Sequence, residues 1–102
     1  MTVNFNDSKF GISVVGVEEC YVKVRFCSEQ CLKLSVNNIH ILASDKKPIE
    51  ENTGALFDVV LNNSCKTITF EFDTEVKPND ILKMTVRNRM TNELNDNIKL
   101  VL

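Results

Sequence analysis

Tyr21-Val22-Lys23-Val24-Arg25-Phe26 and Lys66-Thr67-Ile68-Thr69-Phe70-Glu71-Phe72 decide how this chain folds. In both, apolar and polar residues alternate with a period of two. Val22, Val24 and Phe26 therefore fall on one face of a strand, and Tyr21, Lys23 and Arg25 on the other. That is the pattern of a half-buried sheet.

The same period runs outward in both directions. Val3 and Phe5 point one way in a first strand over residues 2–6, and residues 10–17 make a second. Its apolar phase shifts between Val14 and Val15, which predicts a bulge eased by Gly16. After the strand at 20–27, Ser28-Glu29-Gln30-Cys31 offers an N-cap residue and predicts a single helical turn. Alternation resumes at Leu32, Leu34 and Val36, and again over 38–43. Asp45-Lys46-Lys47-Pro48 reads as a turn, Ala55 to Leu61 as a strand closed by an Asn62-Asn63-Ser64 turn, and 66–73 as the next strand.

Lys77-Pro78-Asn79-Asp80 is the sharpest turn signal in the chain. It precedes a strand over 81–87 with Leu82, Met84 and Val86 inward. A polar connection spans Asn88 to Asn97, and Ile98, Leu100 and Leu102 share one face at the end. Strand signals at such spacing, with turn chemistry between them, predict an all-β fold, a single antiparallel β-sandwich of seven or eight strands over residues 1–102.

Composition narrows the functions. The chain has 102 residues, enough for one core in one domain, and a net charge of -2 from 12 basic and 14 acidic side chains. Those charges look scattered, so no nucleic-acid partner is expected, since such a partner favours a basic face or stripe. Lys46-Lys47 is the only adjacent basic pair and reads as a solvated loop. No apolar run has the length of a membrane-spanning helix, and residues 1–7 lack a basic leader or signal-like run, so neither membrane insertion nor export is expected. Asparagine-rich stretches read as turns, and the acceptor pattern for N-glycosylation at Asn6-Asp7-Ser8 and Asn62-Asn63-Ser64 carries little weight in such a chain.

Cys20, Cys27, Cys31 and Cys65 invite a zinc or a disulfide reading. Cys20 and Cys27 bracket a strand, about 23 Å apart at roughly 3.3 Å per residue, and their odd separation sends them to opposite faces. One zinc ion cannot hold both. Cys27 or Cys31 with Cys65 is the disulfide reading for an exported chain; free thiols, behaving as small apolar residues, are the favoured one. A catalytic thiol needs a base, and the only histidine, His40, alternates out of phase with Ile39 and Ile41, on the outward face.

No phosphate loop, His-x-x-x-His, Cys-x-x-Cys or Gly-x-Ser-x-Gly occurs. Asp73, Glu75, Asp80, Glu93 and Asp96 could gather as calcium ligands if their turns met, though acidic residues also populate turns for solubility. Among the strand aromatics only Tyr21 faces outward, so a sugar-stacking face is not expected.

From Ser13 to Asn97 the chain resembles the bacterial immunoglobulin-like domains that occur in tandem in cell-surface proteins. The likeness rests on Val14 to Val17, on Val22-Lys23-Val24-Arg25-Phe26-Cys27-Ser28-Glu29, on Val36-Asn37-Asn38-Ile39-His40-Ile41, and on Thr85-Val86-Arg87-Asn88 with Asn95-Asp96-Asn97-Ile98. Cys27 interrupts the family's Phe-Ser-Glu. The resemblance implies a spacer or adhesion module without catalytic residues. The expectation is therefore a non-catalytic structural or protein-interaction module with no cofactor, belonging to a larger surface or virion structure. A phage head or tail accessory (decoration) subunit and a small-ligand or calcium-binding sandwich are the alternatives.

Overall fold

A computed structural model describes residues 1–42, 49–51 and 56–102; of Glu50 only the backbone is described. Seven strands carry the described chain: β1 Thr2–Asn4, β2 Lys9–Glu18, β3 Tyr21–Leu42, β4 Ile49–Glu50, β5 Phe57–Glu71, β6 Ile81–Asn88 and β7 Leu94–Val101. All pairings are antiparallel, and together they form one sheet curled as a half-barrel.

The organising element is β3, 22 residues long. Along one edge it pairs with β5 from Tyr21↔Glu71 to Val36↔Phe57, and then with β4 at His40 and Ile41. Along the other edge β2 takes residues 21–27 and β6 takes 34–42. One strand is thus shared by two groups of neighbours, with β1 flanking β2 and β7 flanking β6.

So long a strand stays amphipathic because bulges re-aim it. Glu29 and Gln30 stand against Asn63 alone, and Asn38 and Ile39 against Met84 alone. Asn63 and Asn38 have φ of 48° and 52°, left-handed values that asparagine tolerates better than most residues. The helical turn expected at Ser28 to Cys31 is the first of these bulges, where the Ser28 hydroxyl donates to the Gln30 carbonyl and accepts from the Gln30 N–H. The turn expected at Asn62-Asn63-Ser64 is likewise strand, because β5 runs through it. The bulge expected near Gly16 is present, with Val15 as the extra residue.

The inward face forms one continuous core. β3 contributes Val22, Val24, Phe26, Leu32, Leu34, Val36, Ile39 and Ile41, β5 adds Val59, Leu61 and Phe70, and Leu82, Met84, Val86, Ile98 and Leu100 come from β6 and β7. Side chains of this size contribute about 1.5–3 kcal/mol each when fully buried. Phe10 stacks on Phe26, and Phe57 meets Phe70 edge-on, with centroids 6.1 and 5.1 Å apart.

Between the ends of β2 and β6, residues 28–33 of β3 have no strand on that edge. Two turns fill this notch. Arg89 N–H donates to the Lys33 carbonyl, Asn6 N–H to Glu93 Oε2, and Asn88 Nδ2 to Ser8 Oγ. At the opposite end, the expected turn is confirmed: Asn79 has φ 72°, Lys77 N–H donates to Asp80 Oδ2, and Asn79 N–H ties down the Leu102 carbonyl.

Candidate interaction surface

Cys27 and Cys65, directly opposed on β3 and β5 with Cα atoms 4.1 Å apart, form a disulfide. Four free thiols were the favoured expectation, and register overturns it. Antiparallel pairing brings these two side chains together on the outward face, while Cys20 stays free in the β2–β3 turn and Cys31 is free and exposed. The bond lines an open cleft of about 650 Å³ beside the notch, bounded by the β1–β2 turn and by the Ser28 to Gln30 bulge.

His40 is on the outer face, as alternation predicts, with Nδ1 3.0 Å from the Asn38 carbonyl and between buried Ile39 and Ile41. No cysteine reaches it in register; its strand neighbours are Glu50 and Lys83. Tyr21 is 40% exposed opposite Glu71. The Glu71 carboxylate, then Cys20, then slight desolvation and Glu19 raise its phenol above the usual value of 10.0. Of the carboxylates expected in turns, Asp96 lies instead in β7, and the set does not gather. Asp80 and Glu93 flank opposite ends of the eight-residue β6, about 26 Å apart at roughly 3.3 Å per residue. Among the described residues, no group of three or more His, Cys, Asp or Glu is arranged to hold a metal, and no helix is long and apolar enough to cross a membrane. Lys46-Lys47 and its turn lie outside the described residues.

The sequence reading missed a different feature, the outer face of β6 and its neighbours. Lys83, Thr85 and Arg87 alternate outward along β6, and Arg89 follows. Registration then adds cations from both sides. Lys99 on β7 stands beside Lys83, in a row that continues through His40 on β3 to Glu50 on β4. Asp58, Ser35, Arg87 and Leu94 form another, across β5, β3, β6 and β7, and Lys33 lies beside Arg89, joined to it through the backbone. Ser35 and Thr85 are buried on this face, consistent with the long stems of neighbouring Lys and Arg lying over them.

Asp58 is the carboxylate that meets these cations, through Arg89 Nε at 3.7 Å, and it also accepts from Ser35 Oγ at 3.2 Å. Lys33, Lys83, Arg87 and Lys99 make no ion pair with a described residue. A one-strand signal was visible in Lys83-x-x-x-Arg87-x-Arg89; Lys33 and Lys99 join it only through strand order.

Beside this face lies a free strand edge. β7 pairs with β6 on one side, and among the described residues no strand pairs with its other side. Leu94 and Val101 on it are 52% and 69% exposed. Asn97 N–H bonds to the Asn95 side chain, 3.1 Å away, within a bulge where two β7 residues oppose Thr85.

Comparison with family models, with curated proteins and with solved structures gives no match to this chain.

Proposed function

We propose that the chain is a non-catalytic protein-interaction or structural module, a component or spacer of a larger surface or virion assembly. The observation that carries this reading is the free edge of β7, which presents backbone donors and acceptors beside exposed Leu94 and Val101. Such an edge is a template for a strand from another chain. The finer description as an immunoglobulin-like sandwich belongs to the same proposal. What supports it is the curl of β3 and β5, which carries two groups of strands around one core.

Light scattering on the purified chain, and size fractionation of it in its native lysate, test the proposal. The chain elutes in a larger species in at least one, and Asn97→Pro returns it to monomer. Monomer throughout contradicts the reading. Proline suits the purpose because Asn97 N–H bonds to its neighbour's side chain, so the change removes no bond to β6. The cleft at the Cys27–Cys65 bond favours small-ligand binding as the second reading. For its calcium form, melting temperature rises with added calcium and falls with chelator; no response removes it.

A further inference from the structure

We propose that the basic outer face of β3, β6 and β7 docks an extended acidic protein segment, which adds as a strand along the free edge of β7. This names the partner's chemistry for the interaction module above and rests on that reading.

The charge pattern is the first support. The whole chain carries a net charge of -2, yet Lys83, Arg87, Lys33 and Lys99 share one sheet face without an ion pair to any described residue. Glu18, Glu19, Asp73, Glu75 and Asp80 sit in or beside turns, while Asp58 on β5, Glu50 on β4 in register with His40, and Asp96 in the β7 bulge border the basic face. Separation of this kind makes a local positive field on a molecule whose total is negative, and that field steers an anionic partner.

Geometry supplies the second support. A strand added to β7 lies about 4.8 Å from it, with alternate side chains on the basic face. Carboxylates at those positions stand in the row of Lys99 and Lys83, and in the row that ends Arg87 and Leu94. Apolar residues interspersed with them meet exposed Leu94 and Val101. Asp58 already holds Arg89 in the same manner.

The face favours protein over nucleic acid. Single strands are gripped by stacking their bases on aromatic side chains, and the outward positions of β6, β7 and residues 33–42 of β3 offer no tyrosine, phenylalanine or tryptophan; Tyr21 lies at the far end of β3. Exposed Leu94 beside Arg87, and Val101 on the same strand, give the face apolar area for side chains of a protein segment.

The test uses fluorescence anisotropy with a labelled peptide of alternating glutamate and valine, against a lysine–valine counterpart and single- and double-stranded oligonucleotides. The acidic peptide binds the full chain more tightly than the other probes, and binding weakens with salt. Its affinity falls by about tenfold or more in Lys83→Glu/Lys99→Glu and in Asn97→Pro, with folding of each variant checked by amide spectra. Tighter binding of an oligonucleotide overturns the proposal. So does a charge-reversed variant that keeps wild-type affinity; if Asn97→Pro alone then abolishes binding, the edge reading stands and the acidic partner fails. Loss on charge reversal with full binding by Asn97→Pro overturns strand addition.

Discussion

The two ends of β3 share a core and differ on the outside. Around residues 21–27, with β2 and β5, the outer face mixes Lys23 and Arg25 with Glu18 and Glu71 and is stapled by Cys27–Cys65. Around residues 33–42, with β6 and β7, it is basic and bears no disulfide; among the described residues both halves end in unpaired edges, β1 and β5 on the stapled side and β7 on the basic one. Inward positions are alike in both halves because one core demands aliphatic and phenyl groups everywhere. Outward positions escape that demand, so the difference between the two faces is where recognition can be encoded.

The shared core comes first among the ways to break this comparison. Phe26→Ala empties the site between Phe10 and the strands and costs about 3–5 kcal/mol. Both halves then melt in one transition at a lower temperature; separate transitions by calorimetry would show that β3 does not couple them. Next is the staple. The bond closes a separation of 38 residues, which by loop entropy contributes about 3–4 kcal/mol. Cys27→Ser/Cys65→Ser therefore lowers the urea midpoint strongly, with hydrogen exchange rising most at residues 62–67, where six consecutive β5 residues are exposed.

A smaller effect separates the faces more sharply. Lys83→Glu, half-buried at the surface, changes stability by no more than about 0.5 kcal/mol in either direction, while weakening binding of the acidic peptide. The smallest effect is on the stapled side. The Tyr21 phenol, raised chiefly by Glu71, titrates above 10.0, and Glu71→Gln lowers its midpoint in an ultraviolet titration. The neutral phenol is the form favoured in the folded chain, so its contribution is complete below 10.0 and is lost as pH rises through the folded value. An unchanged midpoint would remove the Glu71 contact from the account.

Much of the strand content was legible in the alternation of Val22 to Phe26, Ile68 to Phe72 and Leu82 to Val86, because burial on one face leaves a period of two. Continuity was not. Asparagine at positive φ serves turns at Asn79 and Asn92 and bulges at Asn38 and Asn63, and only the partner strand decides between these uses. Ser28-Glu29-Gln30 misled for a related reason, since a hydroxyl that caps a helix also closes a bulge. The disulfide and the basic face were hidden for a third reason. Cys27 meets Cys65, and Lys83 meets Lys99, only through register between strands distant in sequence or across a bulged hairpin.

The central claim is that the basic side of the sheet, and not the stapled side, is the docking surface. Amide chemical-shift mapping with the acidic peptide tests it most directly. The account predicts shifts concentrated in Leu94–Val101 and along Lys83 to Arg89, with Tyr21–Cys27 and residues 65–71 unmoved. Shifts confined to the stapled face, or none at saturating peptide, would contradict it.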